Sequence, residues 1–503
     1  MKPNSFFSFI LFGVFLLVPN TSLSDCRDCC LSGGGVVCND GETQCGDGTP
    51  LSETCKAQGC DVCAGNRNFS YTGGVSPILM LLLGDKGYHN NTFITELVSV
   101  SSTGVQGNTG SGSPSISSNG RFVAFESSAD NLVEGDTNGR DDVFVHDRQT
   151  GQTTRASTSS SGMQGNGHSN NPAISIDGLF VVFSSGANNL VEGDTNGRDD
   201  VFVHDRQTGQ TTRVSASSSG IQGNGHSNNP SISSDNRFVT FVSWADNLVL
   251  GDTNNTYDVF VHDRQTGQTT RVSVSSTGEQ GNALSDNPSI SSSGRFVAFR
   301  SQASNLVDGD TNNQKDVFVH DRQTAQTSRV SISSTGEQGN GSSQIPSISS
   351  DGLIVAFSSD ANNLVEGDTD RSSDMFVHDR QTGQTTLVSV SSTGAQGNSN
   401  SYSPSISSDG MIVAFWSWAD NLVVGDTNGW DDVFVHDRQA GQTTRVNVSS
   451  YGEQGNQGGS TPSISAEGQF VVFSSTSSNL IEGDTNSAAD IFFHDRNPAS
   501  TSP

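Results

Sequence analysis

Seven times along this chain Gly-Asp-Thr is followed by an asparagine or aspartate, and four residues later by a further aspartate. The trios are Asp136/Asn138/Asp142, Asp194/Asn196/Asp200, Asp252/Asn254/Asp258 and Asp310/Asn312/Asp316. They continue as Asp368/Asp370/Asp374, Asp426/Asn428/Asp432 and Asp484/Asn486/Asp490. Carboxylate and amide oxygens so spaced suit a hard cation, because Ca²⁺ gathers about six to eight oxygens. On this reading the cofactor is calcium and all 21 residues are metal ligands. The competing reading is local: Asp and Asn side chains fold back onto backbone N–H groups and pin turns.

The cation reading meets a limit in the same residues. Asp-x-Asn opens like an EF-hand loop, but position 5 is Arg140, Thr256 or Gln314, and no glutamate stands at position 12. A second recurring group is Val-His-Asp-Arg, at His146, His204, His262, His320, His378 and His436, with Phe-His-Asp-Arg at His494. One imidazole per segment, mid-strand beside Val145, reads as a buried structural histidine with a backbone or carboxylate partner. No catalytic set emerges: the sequence has no HExxH and no Gly-x-Ser-x-Gly elbow.

These groups recur because a 58-residue unit is repeated seven times, with Pro114, Pro172, Pro230, Pro288, Pro346, Pro404 and Pro462 in step. A fixed period means that each unit buries its faces against its neighbours. Within one unit Pro114–Ser117 reads as a strand and Ser118-Asn119-Gly120 as a turn. Arg121–Phe125 is a strand apolar on both faces, and Asn131–Asp141 is a polar loop. Asp142–His146 and Thr153–Ser157 are further strands around a Gln-Thr-Gly-Gln turn. Four short antiparallel strands per unit make a propeller blade. The last unit ends at Arg496-Asn497-Pro498 without a fourth strand, while Thr95–Ser101 matches the missing one. The expected fold is therefore all-β: a seven-bladed propeller over 95–503, its last blade closed by residues 95–101.

The blade text Ser-Ile-Ser-x-Asp-Gly-x-x-Val-Ala-Phe-x-Ser, as at Ser231–Ser243 with Asn236 in the glycine's place, precedes Asp-Val-Phe-Val-His-Asp. It resembles the TolB-like, WD40-like repeat of bacterial propellers over residues 95–497. The resemblance implies the propeller fold; it leaves function open, because this fold serves binding modules, scaffolds and enzymes alike.

Residues 1–24 read as a secretory leader: Lys2, the apolar stretch Phe6–Val18, and small residues at Ser22 and Ser24. No other apolar run is long enough to span a bilayer. All eight cysteines (Cys26, Cys29, Cys30, Cys38, Cys45, Cys55, Cys60 and Cys63) lie in one window, so 25–64 reads as a disulfide-stapled small domain. The rival is zinc, from the spacing Cys26-x-x-Cys29 and Cys60-x-x-Cys63. Residues 65–94 read as a linker. The chain carries 25 basic against 53 acidic residues, a net charge of −28, which disfavours nucleic acid and anionic membranes as partners. A secreted, cell-surface or periplasmic place is expected.

The repeats differ mainly on one face, formed by the second-to-third strand loops and the blade-to-blade loops. All four tryptophans fall there, in blades three and six: Trp244, Trp416, Trp418 and Trp430, joined by Tyr257 and Tyr402. Rings on a Ser-, Gly- and Asn-rich face suit sugar or peptide binding; the alternative is that they fill gaps between blades. The expected role is an exported, non-catalytic binding or scaffold propeller that takes a protein, peptide or glycan on this face, with calcium stabilisation on the first reading of the loops. The alternatives are a hydrolase or lyase acting on extracellular polysaccharide or peptide, and a self-assembling subunit of a surface layer or fibre.

Overall fold

The computed structural model describes residues 36–39, 42–45, 93–369 and 372–497. The chain divides at Leu82/Leu83 into two units. In the first, β1 (Val36–Asn39) pairs antiparallel with β2 (Glu42–Cys45). The leader and the cysteine pairing lie outside the described residues, as do residues 65–92 of the linker.

The second unit is a seven-bladed β-propeller. Its first strand, β3 (Ile94–Leu97), belongs to the last blade. Blade one follows as β4 (Ser111–Ile116), β5 (Phe122–Ser127), β6 (Asp142–Asp147) and β7 (Gln152–Arg155), paired in that order. The innermost strands of successive blades contact one another around the ring, so β4 and its equivalents surround the axis.

Alternation along each strand decides how blades stack. Val123, Phe125 and Phe144 point to the preceding blade and meet Val472, Ile491 and Phe493. Ala124, Val143 and Val145 point to the next, against Val181, Phe183 and Phe202. A strand with two buried faces must be apolar on both, which is why Phe-Val-Ala-Phe does not alternate with polar residues. Burial of each such phenylalanine contributes about 1.5–3 kcal/mol.

The ring closes through β3, which pairs with Asp490–Asp495 in the register Ile94↔Asp495 to Leu97↔Phe492. The ladder is shorter than the 95–101 read from sequence. Val98 still donates to the Ile491 carbonyl, but Ser101 and Gly104 then close a turn.

The His-Asp-Arg marker is explained by three separate bonds. His146 Nδ1 lies 2.9 Å from Thr153 Oγ1 on the adjacent strand. That hydroxyl donates its own proton to the Val100 carbonyl of the loop entering the blade, so it accepts from Nδ1–H. The partner is thus a threonine hydroxyl rather than the backbone or carboxylate group expected. Asp147 Oδ1 accepts from Gln149 N–H at 3.0 Å and pins the turn. Arg148 Nη1 donates to the Gly120 carbonyl at 2.8 Å, and its counterpart Arg206 lies over the Phe122 ring of the preceding blade at 4.4 Å.

Candidate functional site on the loop face

The acidic trios sit where the second-to-third strand loop meets the loop leading into the next blade. In blade one Gln164 Nε2 donates to Asp136 Oδ1 at 2.6 Å and to Asp142 Oδ2 at 3.0 Å. Arg155 Nη1 lies 3.3 and 3.4 Å from the same two carboxylates. Ser157 Oγ donates to the other Asp142 oxygen. The two aspartates thus cross-link loops through side chains instead of pinning a turn. Gln222, Gln280, Gln338 and Gln454 join Asp194 to Asp200, Asp252 to Asp258, Asp310 to Asp316 and Asp426 to Asp432 in the same way.

The asparagines of the trios depart from the cation reading and follow the turn reading. Asn138 Oδ1 accepts from Arg140 N–H at 2.7 Å. Asn196, Asn254, Asn312, Asn428 and Asn486 accept likewise from the N–H groups of Arg198, Thr256, Gln314, Trp430 and Ala488. Their oxygens are therefore committed to the backbone. The amide NH₂ groups of Asn138, Asn196, Asn254, Asn312 and Asn428 donate to the second aspartate of the trio and to a carbonyl of the next loop. Asn486 donates to the Gly107 carbonyl at 2.8 Å. A metal ligand would have to aim its amide oxygen at the carboxylates; these asparagines aim donors there, so they do not serve as calcium ligands in this geometry.

Arg213, Arg271, Arg329 and Arg445 repeat the arrangement of Arg155, each Nη1 between 3.1 and 3.8 Å from its two carboxylates. In these five blades a guanidinium stands where a cation would stand, and the donor set does not fit calcium. Leu387 and Leu97 replace the arginine in blades five and seven, where Gln396 and Gln106 still bridge Asp368 to Asp374 and Asp484 to Asp490. Asp370 lies outside the described residues. Among the described residues no three His, Cys, Asp or Glu side chains converge as a metal requires. Burial raises the pKa of Asp200, Asp258, Asp316 and Asp490. Burial and then the nearby Asp432 charge push Asp426 up to about 6. Calcium titrated into chelator-treated protein is accordingly expected to give no more than about two equivalents per chain, one for each blade in which a leucine replaces the bridging arginine of the fourth strand. Seven equivalents by calorimetry would show that calcium displaces the arginines.

The aromatic residues divide into two groups on two blades. Trp244 packs on Tyr257 with centroids 5.5 Å apart, and Trp416 on Tyr402 at 5.0 Å. Trp416 and Tyr257 also lean into the cores between blades six and seven and between three and four, so gap filling accounts for part of their burial. Trp244, Trp418 and Trp430 are 50%, 45% and 49% exposed. Beside them Leu250 and Val424 are fully exposed, at positions where the other five blades carry Glu134, Glu192, Asp308, Glu366 and Glu482. Each aromatic blade therefore presents an apolar patch at a position where the other blades carry an acid. The patches are separate, because blades four and five lie between them on one side of the ring and seven, one and two on the other.

A third feature escaped the sequence reading. A cleft of about 400 Å³ opens above blade two, lined by Glu126, His168, Asn170, Asn171, Ser184 and Asp199. Ser185 and Asn228 complete it. It exists because blade two carries Ser184, Gly186 and Asp199 where blade three has Val242, Trp244 and Tyr257, and blade four has Arg300, Gln302 and Lys315. A bulge in each innermost strand puts Asn171 at φ 53°, a left-handed conformation that asparagine tolerates, and re-aims the strand at the mouth. Glu126 accepts from Ser113 Oγ at 2.9 Å and from Asn171 N–H at 2.8 Å. His168 Nδ1 lies 2.9 Å from Asp141 Oδ2, and its Nε2 lies 3.1 Å from Arg140 Nη1. The Asp141 N–H also lies 3.2 Å from Nδ1, so the ring bridges the Asp141 backbone and carboxylate to Arg140. His226, Asp199 and Arg198 repeat the set. One signal in the sequence pointed here: His168 and His226 are two of the three histidines that stand outside the His-Asp-Arg marker.

No family model and no curated protein matches the sequence. Among solved structures it is similar to a putative TolB from Agrobacterium tumefaciens, at 16% identity over 56% of this chain and 80% of that one, with a TM-score of 0.36. It is also similar to an oligogalacturonate lyase in complex with manganese, at 12% identity over 81% and 92% of the two chains, with a TM-score of 0.47. A TolB from Acinetobacter baumannii matches at 17% identity over 71% and 76%, with a TM-score of 0.36. The chain is a seven-bladed β-propeller, consistent with the TolB-like resemblance of its repeats.

Proposed function

We propose that this protein is an exported, non-catalytic binding propeller that recognises a glycan on its loop face. The observation that carries the reading is the asymmetry between faces. The turn face repeats the same Asp and Arg bonds blade after blade. The loop face departs from the repeat with exposed tryptophans and an open polar cleft. Exposed rings offer flat apolar area to the C–H face of a sugar at little entropic cost, and amides and carboxylates bind its hydroxyls. The −28 net charge directs the choice toward neutral or cationic ligands. Export rests on the leader-like residues 1–24 and the cysteine window, which also supports a disulfide-stapled head.

The test is calorimetric titration of oligosaccharide panels and of peptides into the full chain. Glycan binding is expected to weaken about 10-fold or more when Trp418 and Trp430, or Trp244, become alanine, since a central aromatic contact contributes about 2 kcal/mol or more. Because these rings are half exposed, the melting temperature should move little. Peptides that bind where no glycan does would sink the assignment.

A further inference from the structure

We infer that the cleft above blade two holds an amino-sugar unit bearing a free ammonium group; this rests on the glycan-binding reading above and narrows it to one chemistry. Every lining residue is polar and none is lysine or arginine. A ligand with an apolar side chain gains nothing there, whereas a ring with polar groups on every edge does. Two carboxylates, Glu126 and Asp199, enter the lining without a lysine or arginine partner. Glu126 is held by a hydroxyl and a backbone N–H. Asp199 Oδ2 lies 2.9 Å from His226 Nδ1, and His226 Nε2 lies 3.2 Å from Arg198 Nη1. An ammonium between them makes charge-assisted hydrogen bonds, roughly twice as strong as neutral ones. The side-chain amides of Asn170 and Asn228 make no hydrogen bond to protein among the described residues, and each offers both a donor and an acceptor. That is the pairing a ring hydroxyl needs, since it gives one hydrogen bond and accepts others. The volume of about 400 Å³ suits a small ring system and lies within the usual range for small-molecule sites. A uronate is excluded by the two carboxylates it would face. On the adjoining blade three, Trp244 and Tyr257 stand exposed and half-buried, a platform for the next unit of an oligomer.

The neighbouring blade supplies the decisive variant. Gly186 has an ordinary negative φ, and a Cβ there would come within 2.8 Å of Asp199 Oδ1, the end of a mobile side chain. Blade three carries Trp244 at the equivalent place, so Gly186→Trp fills the cleft with a residue the repeat already accommodates. The probes are a deacetylated hexosamine oligomer, its N-acetylated form, a neutral hexose oligomer and a lysine-containing peptide of equal charge. Each is titrated calorimetrically into the full chain. The deacetylated oligomer should bind about 10-fold or more tighter than the N-acetylated one, and should weaken severalfold on raising salt to about 0.5 M. Glu126→Gln and Asp199→Asn should each cost about 10-fold, and Gly186→Trp should remove binding, with melting temperatures close to wild type. A polycation attracted only by the general negative charge would bind Gly186→Trp as well as wild type, and that result overturns the inference. Equal affinity for the lysine peptide, or for the N-acetylated oligomer, overturns it too. Neutral-oligomer binding that is lost in Trp418→Ala but indifferent to Gly186→Trp would sink the amino-sugar site while leaving the glycan-binding propeller intact.

Discussion

Lowering the pH from about 6.5 toward 4 is expected to unfold the propeller, with the seven strand histidines as the cause. Burial depresses all of them: His146, His320 and His378 to about 4, His494 to about 3, and His204, His262 and His436 in the same direction. In the unfolded chain they titrate near 6.5. A histidine whose folded pKa is depressed lets the unfolded state bind more protons below 6.5. Its full contribution is therefore present above that pH and is lost as pH falls toward the folded value. For a shift from 6.5 to about 4 the linked change is about 3 kcal/mol per site. Several such sites exceed the ~5–15 kcal/mol that holds a typical domain folded. Asp426, raised to about 6, works in the opposite direction as pH falls, as do Asp136, Asp200, Asp258, Asp316, Asp431 and Asp490, all raised by burial, so these carboxylates offset part of the loss. Asp147 lies outside the window: burial raises it, yet the hydrogen bonds from Arg121, Thr150 and Gln149 with the Arg121 charge together carry it down to about 2. Thermal melts across this range should show the midpoint falling steeply below pH 6. Replacing His146, His320, His378 and His494 by glutamine, which can still donate to the threonine hydroxyl, should flatten the slope. A midpoint that stays level to pH 4.5 would show that the imidazoles are protonated without cost.

Removing the closing strand should be the most damaging single change to the chain. Truncation through Ser101 deletes the ladder to Asp490–Asp495 and leaves that strand as an open edge. It also removes Val98, which is 1% exposed in the core against blade one, and Ser99, whose hydroxyl donates to Asp490 at 2.6 Å. Asp490 is wholly buried, and a buried carboxylate that loses a donor costs about 1–3 kcal/mol before any packing is counted. Thr95, which binds both His494 Nδ1 and the Val448 carbonyl, goes with them. The truncated chain is expected to lose its cooperative melt and to associate through the open edge. Light scattering and melting curves check this; a monomer that melts as wild type would mean the ring does not depend on closure.

The architecture was legible because it is periodic. Seven copies of one pattern reported the blade count, and the strand missing after Arg496 found its match near Thr95, so the closure was readable too. Local rules sufficed there: a strand buried on both faces has to be apolar on both. The partners of polar side chains were less legible. His146 finds Thr153 seven residues away, a pairing the period repeats but whose geometry depends on strand register. The acidic trios read as one motif, yet their members part company. Asn138 and its counterparts pin turns by a local rule, while the fate of the aspartates is decided by Gln164 and Arg155, more than 10 residues away along the chain. Only the packed loops show that a guanidinium occupies the place of the cation.

The candidate site lies further still from what a sequence displays. Glu126, His168, Asp199 and Asn228 come from three blades and share no motif. What makes the cleft is the smallness of Ser184 and Gly186 against neighbours that fill the same positions, a property of the space between blades. By itself the sequence determined the blade, its number, the closure and the variable face, because repetition and alternation are local and additive. The tertiary structure alone decided which acids are neutralised from within, which tryptophans stay open and where a cavity remains, because each depends on side chains that meet only when neighbouring blades are stacked.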